Sequence, residues 1–202
     1  MRFKAYLHGR LSDPQELRRS WVFRRLWSAA DPVEGLQLNS MSTTATAINF
    51  KEFLKGQAEY ASRIFCLDLA AIPEDKIGAC PMGVARSPLH FSAECAGFNL
   101  MVAANLRGEE YAIPSEEGKT AYYASIDTTA KAAEAIQTST AALIAGLDAV
   151  SDEDMHKEVP MYWGGTMPLY KFANLAINHM GYHDGQLNYI QSLYGDSEVH
   201  WN

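Results

Sequence analysis

The fold turns on Pro168–Gly195, PLYKFANLAINHMGYHDGQLNYIQSLYG, whose centre reads His179-Met180-Gly181-Tyr182-His183-Asp184-Gly185-Gln186. Steps of three and four residues pick out Leu169, Phe172, Ala176, His179, His183, Gln186, Ile190 and Leu193, the spacing of a helix seam buried in a bundle. Three neighbouring places on that seam are polar. Side chains at i and i+4 share a helix face, about 5–6 Å apart at Cβ, so two imidazoles one turn apart can hold a single cation. Buried without partners, each of the three polar groups would cost about 1–3 kcal/mol. A fold that keeps them must therefore supply a metal or polar ligand, or close them into a hydrogen-bond network.

Upstream of this stretch the same period recurs. Ser87 and Pro88 read as an N-cap and first helical residue, and the helix they open runs through Phe91, Cys95, Phe98 and Val102 to a stop at Gly108. His90, Glu94 and Met101 lie along one edge of its apolar stripe, which sets a carboxylate beside core-facing residues. Asn49 with Glu52 is a capping arrangement for an earlier helix, with Phe50, Phe53, Gln57, Tyr60, Ile64, Leu67 and Ala71 on one face until Pro73. Asp127 or Thr128 caps a third helix with Ala130, Ala133, Ile136, Thr140, Leu143, Leu147 and Val150 on one face. The segments Glu74–Arg86, Glu109–Asp127 and Ser151–Thr166, rich in Gly, Pro and acidic residues, read as connections, the second long enough to cross a bundle. Thr166 and Pro168 then start the fourth helix and Gly195 ends it, leaving a tail with His200 and Trp201 to which no function is assigned. Strand-like alternation is scarce, and neither a phosphate-binding glycine loop nor a GxSxG elbow is present. Four long amphipathic helices make an all-α, four-helix bundle.

Composition narrows the function classes. The 202 residues suit one domain of ordinary size, and the three cysteines, Cys66, Cys80 and Cys95, are widely spaced with no CxxC. That pattern fits free thiols in a reducing cytoplasm rather than a disulfide framework. No membrane span or secretory leader is expected. Net charge is −7, yet residues 1–40 hold seven Lys/Arg against four Asp/Glu, leaving ten against twenty in residues 41–202. An acidic bundle repels phosphate backbones, so no nucleic-acid partner is expected. Residues 1–40, with Arg18-Arg19, Trp21, Arg24-Arg25 and Trp27, read as an N-terminal extension, loosely attached or lying before the natural start. Leu17–Trp27 could form a short helix there, and residues 41–202 form the bundle domain.

Ser87-Pro88-Leu89 and Glu94-Cys95-Ala96-Gly97-Phe98-Asn99 on the second helix, with His179-x-x-x-His183-x-x-Gln186 on the fourth, resemble the DinB/YfiT-like metalloenzyme family, whose name is shared with an unrelated DNA polymerase. The resemblance covers Asn49–Gly195. It implies a four-helix bundle in up-down-down-up order, forming a homodimer. It also implies a divalent metal, zinc or nickel, held by one histidine of the second helix and both histidines of the fourth. Relatives include transferases and isomerases that use a low-molecular-weight thiol. This chain departs from the pattern where Glu94 stands in place of the second-helix histidine. Two histidines and a glutamate with one open position is a recognised catalytic zinc arrangement; equally, Glu94 could pair with His179 or His183 in a bundle that holds no metal. His90, one turn before Glu94, is an alternative ligand.

Two readings follow for function. In the first the protein is a metal-dependent thiol S-transferase or related enzyme acting on a small molecule, its ion on Glu94, His179 and His183, with Gln186 orienting a ligand through its amide or serving, like His90, as an alternative ligand. In the second it is a non-catalytic dimeric bundle with a satisfied polar core. A chain beginning at Met41 is expected to melt within a few degrees of the full-length protein in a calorimetric scan; a larger drop would show that residues 1–40 belong to the core.

Overall fold

A computed structural model describes residues 48–201; the expectations placed on residues 1–40 lie outside them. Asn49 opens α1 (Phe50–Ala71), its Oδ1 accepting from the amides of Lys51 and Glu52 at 3.0 and 3.2 Å. Ser87 opens α2 (Pro88–Leu106), its Oγ accepting from the His90 amide at 3.2 Å. Thr128 rather than Asp127 caps α4 (Thr129–Ala149), accepting from the Lys131 amide. The last helix is α5 (Leu169–Leu193). Gly108 and Gly195 stop α2 and α5 with φ of 70° and 91°, the left-handed turn that spares a β-carbon clash just past a helix end.

Each of α1 and α2 packs against both α4 and α5. Lys55 meets Asp148 and Cys66 lies 3.9 Å from the Ala133 carbonyl, so α1 and α4 run antiparallel. The Asn99 amide approaches Thr140, and a β-carbon on Gly146 would come within 3.0 Å of Leu106; α2 and α4 therefore run parallel and nearly touch. Phe91 stacks on His183 while Phe98 meets Phe172, which sets α2 and α5 antiparallel. Phe50 meets Tyr170 and Asp68 meets Asn188, so α1 and α5 run parallel. These are the senses an up-down-down-up order requires. The core between them is filled by Leu54, Phe65, Val102, Ile136, Leu143, Phe172, Met180 and Leu187, among others. Among the described residues no helix is long and apolar enough to cross a membrane.

Three sequence expectations need correction. The connection 109–127 contains a further helix, α3 (Glu116–Ser125), capped by Ser115 and burying no residue; with no apolar face it leaves no periodic trace. Thr166 does not start α5. It begins β2 (Thr166–Pro168), which pairs antiparallel with β1 (Glu158–Pro160) in the register Glu158↔Pro168. Finally, the buried stripe of α1 is Leu54, Ala58, Ala61, Phe65 and Leu69, while Phe50, Phe53 and Tyr60 are half exposed. The small and aliphatic residues pack closest to the neighbouring helices, so the bulkier aromatics are left at the edge.

The seam of α5 is also wider than its spacing suggested, taking in Asp184 and Gln191, both buried. Gln191 donates to the Asp68 carbonyl at 2.5 Å, and Asn188 and the Trp201 indole donate to Asp68 Oδ2 at 2.6 and 2.7 Å. The tail is thus tied to α1, with Arg63 donating to the Trp201 carbonyl at 2.9 Å. Asp184 faces Asp68; burial first, and the neighbouring carboxyl second, push its acid up to about 7. The folded protein therefore keeps a proton that the unfolded chain releases near pH 4. The contribution of Asp184 to stability should be fully present below that point, fall as pH rises from about 4 to 7, and level off above. Denaturant midpoints measured across this range should show the decline in wild type and a flatter profile in Asp184→Asn.

Candidate metal centre

Antiparallel packing brings the middle of α2 level with the middle of α5. Glu94 Oε1 lies 3.5 Å from His179 Nε2 and 3.8 Å from His183 Nε2, and the two imidazole nitrogens are 3.1 Å apart. The His183 side chain is 1% exposed, His179 21% and Glu94 31%, so the group opens on one flank. Aromatic faces hold the rings: Phe91 stacks on His183 at 4.7 Å and Phe98 meets His179 edge-on at 5.1 Å.

The orientation of His183 is set by Gln186. The Gln186 amide oxygen lies 2.7 Å from His183 Nδ1. An amide oxygen only accepts, so Nδ1 carries the proton and Nε2 of the neutral ring presents a lone pair. The same amide donates to the Tyr182 hydroxyl at 3.2 Å, which leaves Gln186 engaged by its own helix. His179 Nδ1 is buried with no partner. Two ring nitrogens 3.1 Å apart, one of them a committed acceptor, call for either a proton or a cation between them. Two imidazole nitrogens and a carboxylate oxygen with an open flank suit a divalent ion with a free position.

The surroundings are charged in pairs. Arg86 Nη1 donates to Glu94 Oε2. The neighbouring imidazoles, His179 first and then His183, hold the Glu94 carboxyl well below the usual carboxylate range, with Arg86 adding to the effect. His90 is not brought to the imidazole pair by any close contact. It sits 3.9 Å from Glu94 Oε2 and edge-on to Tyr123 at 4.7 Å, its pKa lowered by burial and then by the Arg86 charge.

Cys95 is a neighbour that sequence reasoning assigned only to the apolar stripe. Its buried Sγ falls within 4.8 Å of ring nitrogens of both His179 and His183, making a cluster that could hold a metal. The hint was its place next to Glu94, since a helix edge and the adjoining stripe can both reach a group centred between them.

Beside this group lies a cavity of about 630 Å³, walled by Phe98 and Met101 of α2, by Tyr122 and Tyr123 of α3, and by Tyr162 of the hairpin loop. The helix that left no periodic signal is therefore one side of the pocket. Burial and then the nearby Glu94 push the Tyr123 phenol up to about 12, so it stays protonated.

All three cysteines are free, Cys80 exposed, Cys66 partly and Cys95 fully buried. Burial pushes Cys66 up to about 11 and Cys95 well above its ordinary value. Iodoacetamide followed by mass spectrometry should label Cys80 first and Cys66 slowly. Cys95 should resist until the protein unfolds, and its rapid labelling in native protein would contradict this picture.

A family model described as the DinB family matches residues 41–201. No curated protein matches the chain. Two crystal structures of a mycothiol-dependent maleylpyruvate isomerase, one of a histidine-to-alanine mutant, superpose with a TM-score of 0.56 at 18% identity. Each match covers 69% of this chain but 63% of the isomerase chain, under two thirds of its length. At that identity the likeness speaks for the fold alone.

Proposed function

The chain belongs to the DinB family, and from that premise we propose that it is a metal-dependent enzyme using a low-molecular-weight thiol, with a zinc or nickel ion held by Glu94, His179 and His183. What supports the reading above all is the meeting of three donor atoms with separations of 3.1, 3.5 and 3.8 Å at the mouth of a cavity. When bound, such an ion supplies positive charge that favours the thiolate or hydroxide form of a thiol or water beside it. The thiol dependence of the isomerase with the similar fold makes the thiol the nucleophile we favour here.

The residues of this chain have separate tasks in that scheme. Gln186 keeps the His183 proton on Nδ1 and so keeps Nε2 available. Arg86 balances the Glu94 charge and anchors one oxygen, leaving the other turned toward the imidazoles. Phe91 and Phe98 keep water from the far sides of the two rings. Cys95 is buried behind the pair, where protonation favours a packing role over nucleophilic attack.

A second reading, a non-catalytic bundle, is favoured by one observation. Arg86, Glu94, His179, His183 and Gln186 already form a continuous chain of polar contacts without an ion. Protein purified without a His tag or chelating resin separates the two. The enzyme reading expects close to one equivalent of zinc or nickel, lost in His183→Ala, and a melting temperature that falls with chelator. A ligand at a hundredfold excess over its Kd adds about 2.7 kcal/mol to the folded state. Less than a tenth of an equivalent after reconstitution, with melting indifferent to chelator, would favour the polar network instead.

A further inference from the structure

We infer that the cavity carries an anion-recognising wall, formed by Arg86 and Lys119 beside His90, and that the molecule acted on is a small organic carboxylate with an apolar or aromatic body. The inference rests on the enzyme reading above and deepens it by naming the substrate class of the same pocket.

Three basic side chains from different segments line this one cavity: Arg86 before α2, His90 in its first turn and Lys119 on α3. Arg86 spends only Nη1 on Glu94. Its Nε and Nη2 have no hydrogen-bond partner among the described residues, leaving part of the planar fork that matches a carboxylate. The guanidinium is also fixed in place, its Cζ 5.2 Å from the centre of the Phe91 ring.

Lys119 enters no ion pair among the described residues. Its ammonium lies 5.9 Å from the centre of the Tyr123 ring, at the cavity wall.

Two carboxylates also line the cavity, Glu94 and Glu116. Glu94 is balanced by Arg86 and held by the imidazoles. Glu116 sits in the exposed first turn of α3, where the helix N-terminus offsets its charge. Lys119, which enters no ion pair among the described residues, is therefore the cation left free to meet an incoming carboxylate, with the remaining Arg86 N–H groups lining the same cavity.

The remaining wall sets the body of the ligand. Tyr111, Tyr122 and Tyr123 present aromatic faces, and their hydroxyls have no protein partner among the described residues. Burial keeps these phenols protonated, so they offer donors around an apolar space of about 630 Å³. Such a volume takes one small organic molecule beside a thiol.

The test compares benzoate with its neutral analogue benzamide by calorimetric titration into the full chain at neutral pH. Zinc-loaded and chelator-treated protein are both titrated, because benzoate could otherwise bind through the ion alone. Benzoate should be preferred by roughly tenfold, the ratio one charge-assisted contact supports. The preference should persist without zinc and largely disappear in Lys119→Met. That variant should melt like wild type, because Lys119 is exposed and enters no ion pair among the described residues, and should take up the same zinc. Equal binding of the two probes would overturn the inference, as would a preference unchanged in Lys119→Met. Neither result touches the metal reading, whose own readout is the zinc content of wild type and His183→Ala.

Discussion

A carboxylate can sit against apolar helices only if its neighbours complete it, and this bundle completes Glu94 from two sides. Arg86 takes one oxygen from the loop before α2, while the imidazoles of α5 face the other. The contacts continue through His183 to Gln186 and Tyr182, so a single polar strip crosses the α2–α5 interface. It dictates how the two helices meet. Shifting α5 by one turn along α2 would part Glu94 from both rings and take Phe91 and Phe98 off their faces. In the protein interior an unpaired polar group costs more than a good contact returns, so this register has no cheap alternative.

The same turn of α5 serves a second polar group with its back to the first. His183 faces α2 and Asp184 faces α1, where Asp68 collects Asn188, Gln191 and Trp201. Asn99 makes a third node, its amide lying near Ser139, Thr140 and the Met180 sulfur. Each node joins helices far apart in the chain. The apolar side chains between them supply most of the driving force, and the nodes restrict which partners and levels that force can select.

What could be read in the sequence follows from how local each signal is. Caps and stops are decided within a few residues, so Asn49, Ser87, Gly108 and Gly195 marked helix ends correctly. The HxxxH pair is one helical turn and was equally legible. Which edge of α1 faces inward depends on neighbours hundreds of atoms away in the chain, and aromatic residues on the flank misdirected the reading. Asp184 and Gln191 were left off the seam that the spacing picked out, because their partner, Asp68, lies on another helix. Glu94 was legible as an edge residue, but its bond to Arg86 was not, since a loop places that guanidinium. The Cys95 sulfur could be placed on a stripe, whereas its distance to the rings depends on how closely α2 and α5 approach.

The short helix α3 buries none of its residues yet walls the cavity. Substitutions on it therefore change what the pocket admits while taking little from the core, whose stability is held elsewhere. Most routes to a new specificity pass through destabilised intermediates and are blocked when the fold has little stability to spare. Here the pocket wall can drift through many sequences with the bundle intact, so descendants of this chain could acquire new substrates one residue at a time.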